Sequence, residues 1–237
     1  MAPADAVIAL RSVTKDYRGL RPLRIERLEI AEGQSVALLG FDQTTAEVLV
    51  SLITGAIAPD TGDVTVFGQS TRDIVDAEAW LQGLDQFGIL SERAVLLDQL
   101  SAEQNLAVPF SLELDGMDQA LRSRVRQLAD EVGLDSSHLA RSAGALEQAS
   151  RQRVRLGRAL ALNPRVLLAE HPNASLSGHD LPEFAADFTK VVTRRGLTSL
   201  VLTADRTFAS AVASHVLELN AATGDLKPSS GWRKWFS

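Results

Sequence analysis

Apolar and polar positions along this chain change rhythm several times, and each change marks a different kind of element. From Ala6 to Tyr17 (AVIALRSVTKDY) and from Leu23 to Ile30 (LRIERLEI), apolar side chains recur near every second position, the period of half-buried strands. After a turn at Gly33, SVALLG runs apolar to Gly40 and predicts a buried strand. The stretch AEVLVSLITG places Val48, Leu49, Leu52 and Ile53 on one helical face, with Gly55 as its stop. GDVTVFG (62–68) and FGILSE (87–92) read as further strands. From Leu96 to Leu162 the pattern is helical, with Met117, Leu121, Val125, Leu128 and Val132 three or four positions apart. Strand patterns return at RVLLAE (165–170), TSLVLTA (198–204) and HVLELN (215–220). Between the first two, a helix opens at HDLPE, where Asp180 suits the cap and Pro182 the first turn. Apolar strands alternating with helices imply a parallel sheet covered on both faces.

Composition narrows the function classes. The 237 residues suffice for one domain with a substantial core. The absence of cysteine excludes disulfides, thiolate metal sites and cysteine nucleophiles. A net charge of −6 argues against nucleic acid as a partner. The start MAPADAVIALRS lacks the pattern of a secretion signal, and no apolar run approaches the ~20 residues of a membrane span. A cytoplasmic location is therefore expected, with membrane association only through a partner. His138, His171, His179 and His215 do not form an expected metal site, because a turn and a helix start separate the nearest of them. Arg151, Arg153, Arg155 and Arg158 spread over more than one helix face, which predicts a solvated or salt-bridged surface.

Four stretches carry a more specific signal: VTKDY, VALLG followed by LITGAIAPDTGDVTVFG, LLDQLSAEQNLAVP, and RQRVRLGRALALNPRVLLAEHPNASL. In this order and spacing, they resemble the ATP-binding subunit of an ABC transporter over nearly the whole chain. The resemblance implies an α/β, P-loop NTPase-like core with a mostly parallel sheet, an antiparallel β subdomain and an inserted helical subdomain. Residues 1–237 would then form one domain, with its core at 1–91 and 163–226, the helical subdomain at 92–162 and a tail at 227–237. ATP and Mg²⁺ are the cofactors implied.

The resemblance also assigns positions to the family's working residues, and many carry a different side chain. Tyr17 falls on the aromatic that stacks on adenine. The phosphate loop pattern GxxxxGK[ST] falls on Gly40 to Glu47. Gly40 matches and Thr44 lies within the loop, but Thr45 replaces the second glycine, Ala46 the lysine and Glu47 the hydroxyl residue. A carboxylate at position 47 faces a polyanion. With the lysine, the hydroxyl and several backbone donors lost, the expected deficit is on the order of 5 kcal/mol or more in nucleotide affinity. Glu170 stands for the Mg²⁺-binding aspartate, His171 for the catalytic glutamate, Ala204 for the switch histidine, Glu92 for the loop glutamine and Ser177 for a further aspartate. The signature segment, whose N–H groups face a partner's γ-phosphate, falls on Leu146, Glu147, Gln148, Ala149 and Ser150.

These replacements lead to the expectation of a non-hydrolysing subunit with a structural or regulatory role on a membrane permease or a second ATP-binding subunit. By resemblance, the permease would contact residues around Glu92 to Leu100. Two alternatives remain. One is an active ATPase with Glu47 or Glu170 on Mg²⁺ and His171 as base. The other is an adaptor unconnected with transport. The terminal Trp232, Arg233, Lys234, Trp235 and Phe236 suit a partner or membrane-interface anchor, a segment folded on its own domain, or a disordered end.

Overall fold

A computed structural model describes residues 6–74, 76–114 and 116–229. The first strands are β1 (Ala6–Lys15), β2 (Leu23–Ala31) and β3 (Ser35–Leu39), followed by helix α1 (Gln43–Ile53). Then come β4 (Thr61–Val66), β5 (Gln69–Ser70), α2 (Ala77–Leu84) and β6 (Phe87–Leu90). The helical stretch contains α3 (Ala102–Ala107), α4 (Gln119–Glu131) and α5 (Gln148–Leu160), with two single 3₁₀ turns between the last two. The chain closes with β7 (Val166–Glu170), α6 (Leu181–Arg195), β8 (Thr198–Leu202), α7 (Arg206–Val212), β9 (His215–Leu219) and β10 (Leu226–Pro228).

Two sheets result. An antiparallel one has the order β2-β1-β4-β5, and a larger one has β10-β9-β3-β8-β7-β6. Strands β9, β3, β8, β7 and β6 are parallel, and only β10 runs antiparallel. The strand alternation explains how one sheet serves two cores. Val36 and Leu38, Val166 and Leu168, and Leu200 and Leu202 face α1 and the antiparallel sheet. Ala37 and Leu39, Leu167 and Ala169, and Val201 face the side covered by α3 to α7. The carboxyl ends of β3, β6, β7 and β8 meet at one edge, the place where open parallel sheets usually carry their sites.

Some local expectations change. Helix α1 begins at Gln43, three residues before the apolar periodicity, because Asp42 and Thr45 form a reciprocal capping box. Asp180 precedes α6 without capping it, and its Oδ2 accepts instead from Ser177 Oγ at 2.6 Å; Pro182 does lie in the first turn. Met117 precedes α4, whose cap is Asp118. The apolar pattern does not announce α2, α7 or β10. Strand β10 takes Lys227 and Pro228 into the sheet, so the sheet passes residue 226 into the segment expected as a tail. Trp232, Arg233, Lys234, Trp235 and Phe236 lie outside the described residues.

The helical insertion is tied to the core through charge pairs as well as apolar packing. Arg153 on α5 meets Asp187 at 2.7 Å and Glu183 at 2.9 Å on α6, and Arg195 on α6 meets Glu131 on α4 at 2.5 Å. Arg151 pairs with Asp98 at 2.8 Å. The expected salt bridges form at Arg151 and Arg153, although Arg153 is buried and not on the surface. The expectation fails for Arg155, which is buried and has no ion pair among the described residues.

Sheet and insertion approach closely at Gly88 of β6, where a Cβ would stand 2.4 Å from the Ala159 carbonyl oxygen. A side chain there would force backbone atoms to shift. Gly88→Ala is expected to lower stability by about 1–3 kcal/mol, read as a fall of several degrees in thermal midpoint. An unchanged melting curve would contradict this packing.

Candidate functional site

The site is assembled from the loops and helix starts at the carboxyl ends of the converging strands. Strand β3 turns through Gly40, whose φ of 90° favours glycine and whose missing side chain lets Leu219 approach; a Cβ would lie 3.1 Å from the Leu219 carbonyl oxygen. Phe41 is then buried, and Asp42 caps α1. The Asp42 Oδ1 accepts from the Thr45 N–H at 2.8 Å and from Thr45 Oγ1 at 2.7 Å, while the Asp42 N–H donates to Thr45 Oγ1 at 3.0 Å. The Ala46 N–H donates to the Asp42 carbonyl at 3.0 Å. Residues 43 to 46 are thus an ordinary helix start, with two of the N–H groups satisfied from within. The Thr45 N–H, then its hydroxyl, hold the Asp42 carboxyl below the usual carboxylate range against the effect of burial, and the nearby His171 adds to this.

The second part is a charge cluster. Glu170, at the end of β7, is 1% exposed. Its Oε2 accepts from Ser91 Oγ at 2.7 Å and from Arg93 Nε at 3.2 Å, and its Oε1 accepts from Arg93 Nη2. The same guanidinium lies 3.5 Å from Glu47 Oε1, which also accepts from Gln43 Nε2 at 3.1 Å. Arg93 therefore stands between the carboxylates of α1 and β7, its one positive charge shared by two negative ones. Burial opposes its charge, but its bond to Glu170 and the charges of Glu170 and Glu47 outweigh that and raise its pKa. The pairing with Glu170 is bidentate, the strong geometry for arginine and carboxylate.

The structure brings Tyr17, Gly40, Asp42, Thr44 and Thr45 to one cavity of about 520 Å³, which Arg18, Arg21 and Arg24 also line. Burial, and then Asp42, raise the Tyr17 phenol, while Arg21 opposes them. Ala46 is fully buried in the apolar core instead of facing this cavity. His171 has a φ of 44°, a left-handed conformation that costs a non-glycine residue strain, and its buried Nε2 has no hydrogen-bond partner. Ala204 is exposed beyond β8. Glu92 is exposed and acts electrostatically on Arg155. Glu147, Gln148 and Ala149 do not line the cavity; Glu147 stands at the start of α5 and makes no side-chain cap.

Sequence reasoning misses Asp42, Ser91 and Arg93. The spacing of Asp42 and Thr45 ahead of an apolar helix is a usable capping signal. Nothing in the sequence pairs Arg93 with Glu47 or Glu170, because the contact depends on which strands become neighbours.

Known proteins agree with this architecture. The family described as "ABC transporter" matches residues 23–174. The chain is 30% identical to the ABC transporter ATP-binding protein YtrE of Bacillus subtilis, over 77% of this chain and 78% of that protein. It is 30% identical to the sulfate/thiosulfate import ATP-binding protein CysA of Methylococcus capsulatus, over 90% of this chain and 60% of the relative. It is 27% identical to the macrolide export ATP-binding/permease protein MacB of Photorhabdus laumondii, over 91% of this chain but 33% of that longer protein. Among solved structures, the dimeric ABC transporter cassette MJ0796 superposes with a TM-score of 0.76 at 25% identity, covering 93% of this chain and 96% of that one.

The geometry can be tested at both corners. Arg93→Met leaves Glu170 buried without its cation and is expected to cost about 1–3 kcal/mol, less than a fully buried pair because half of the Arg93 side chain is exposed. Adding Glu170→Gln should recover most of that loss in chemical denaturation; no recovery would show that the pair is not what holds the loop. Asp42→Ala should cost about 0.5–2 kcal/mol at neutral pH. Because the folded carboxyl ionises below its unfolded value, its contribution is full above the ordinary carboxylate range and is lost as pH falls through the depressed value. The deficit of the variant should therefore shrink below about pH 4, and a deficit independent of pH would contradict the assignment.

Proposed function

The chain belongs to the ABC transporter family of ATP-binding domains, and from that premise we propose that it is a non-hydrolysing member with a structural or regulatory role on a membrane permease or a partner ATPase. The observation that carries this reading is the Arg93 guanidinium between Glu47 and Glu170. Membership implies a capacity for ATP and Mg²⁺, and the residues present do not fit those groups. A divalent cation between these two carboxylates would have to displace an arginine already paired with both. A phosphate at the start of α1 would meet Asp42, whose carboxylate already takes the Thr45 N–H. With Ala46 in the core and no lysine in the loop, the segment itself carries no cation; the cations lining the cavity, Arg18, Arg21 and Arg24, come from β2 and the loop before it. The protein therefore keeps the family's shape with the charges of both ligands supplied internally.

The role on a permease or partner ATPase is drawn from the family and from the sequence. Relatives such as MacB are described as combining ATP-binding and permease parts. No helix among the described residues is long and apolar enough to cross a membrane; by family resemblance, a place at the inner membrane face would come through such a partner. The active-ATPase reading is favoured by one observation, the cavity beside Tyr17.

Equilibrium binding of labelled ATP with Mg²⁺ separates the two. The wild-type chain is expected to show no saturable binding up to about 1 mM. The combined substitutions Thr45→Gly, Ala46→Lys, Glu47→Ser and Arg93→Gln should gain affinity. Micromolar binding by the wild type that is lost in Glu170→Gln would establish the active reading instead.

A further inference from the structure

The cavity beside Tyr17 has a cationic side that neither the fold nor the charge cluster around Arg93 uses. Arg18, Arg21 and Arg24 fall within seven residues of each other, and all three line it, on a chain of net charge −6. The carboxylates nearest to them are engaged elsewhere. Asp16 accepts from the Arg18 N–H at 2.8 Å. Asp60 accepts from Lys15 Nζ at 2.7 Å and from the Asp16 N–H at 2.6 Å, and Asp42 holds Thr45. Arg24 Nη1 donates to the Ala222 carbonyl at 3.3 Å, whereas Arg18 and Arg21 make no side-chain hydrogen bond or ion pair among the described residues. Three like charges gathered on one wall raise the local concentration of anions and favour one that settles between them.

The rest of the cavity is suited to a ring. Tyr17 packs over Gly19, where no side chain would fit, so the loop backbone supports the phenol from one side. Pro22, Leu23 and Leu219 add apolar surface. At the other end stands Asp42, the one carboxylate in the lining, with the start of α1 already closed by the Thr45 bonds. The cavity is thus divided into a cationic end, an aromatic and apolar middle, and an end that rejects negative charge. Its volume of about 520 Å³ is that of a small-molecule site with a few placed polar groups.

We propose that this cavity holds a compact aromatic phosphate monoester without a metal ion, its ring against Tyr17 and its phosphate among Arg18, Arg21 and Arg24. A phosphate monoester carries close to two negative charges near neutral pH, so it balances three cations better than a carboxylate does. The guanidinium fork also meets its oxygens in pairs. A longer phosphate chain would gain no cation at α1 and would meet Asp42, which sets the compact monoester apart from a triphosphate. The inference rests on the non-hydrolysing reading, which leaves the cavity free of ATP, and gives that cavity an occupant.

Tyr17 is the chain's one tyrosine, so the full chain labelled at tyrosine gives a single ring signal, and that ring lines the cavity. The probe is phenyl phosphate, titrated with divalent metal removed by a chelator and followed by nuclear magnetic resonance of that signal. A saturable shift with a Kd below about 1 mM is expected. Inorganic phosphate, which lacks the ring, and benzyl alcohol, which lacks the anion, should each bind about tenfold more weakly or worse. Arg21→Met and Arg24→Met should each weaken phenyl phosphate about tenfold, the worth of a charge-assisted hydrogen bond. Both side chains are exposed, so these variants should fold as the wild type does. Arg27→Met removes an equal charge from β2 outside the cavity and should leave the affinity unchanged. No saturable shift, an equal affinity for inorganic phosphate, or an equal loss in Arg27→Met would overturn the proposal. Micromolar ATP binding with Mg²⁺ that depends on Glu170 would overturn the non-hydrolysing reading and this inference with it. A missing phenyl phosphate shift in a chain that binds no ATP would overturn this inference alone.

Discussion

A carboxylate held almost free of water at the end of a central strand has to be neutralised, and the arrangement of the site depends on how this protein meets that demand. Glu170 lies on β7 between β6 and β8 and cannot turn to solvent. Its two oxygens are met by Ser91 and Arg93, both just beyond β6. Because Arg93 also reaches Glu47 on α1, one side chain joins the two strand-to-helix corners of the site. A guanidinium suits the position: it stays charged at any ordinary pH and spreads that charge over a fork able to meet more than one acceptor.

That choice reaches beyond the site. The loop carrying Arg93 leads directly into the helical insertion, so the ion pair fixes the insertion's entry to the parallel sheet. Its exit is held by Arg153 against α6, and its middle by Glu131 against Arg195. At the other corner, Asp42 gives the start of α1 the negative charge that a helix N-terminus favours. In the proposed reading, these two side chains hold in place what a bound nucleotide and its metal would hold in other family members, and no ligand cycle is needed to keep the domain in one shape.

The sequence is most readable where burial is uniform. Strands β3, β7 and β8 are apolar on both faces because helices cover both, and their pattern leaves little choice of element. The seven residues of α7 and the three of β10 are too short for a period to emerge, and both exist because neighbouring elements hold them. Helix α1 starts early because hydrogen bonding by Asp42 and Thr45, which apolar spacing does not report, fixes its end. Glu47 and Glu170 can be picked out as carboxylates in unexpected places, but the cation between them cannot, since parallel strand order brings Arg93 to them. Arg155 shows the opposite failure: a helical wheel assigns an arginine to the surface, while packing of α5 against β6 puts this one in a groove.

The most direct test of the central claim is a crystal structure of the wild-type chain grown in millimolar Mg²⁺ and an ATP analogue. The account predicts the Arg93 guanidinium between Glu47 and Glu170 and Asp42 on the Thr45 N–H, with no ion in the cluster. A Mg²⁺ ion bridging Glu47 and Glu170, with Arg93 turned out to solvent, would contradict it.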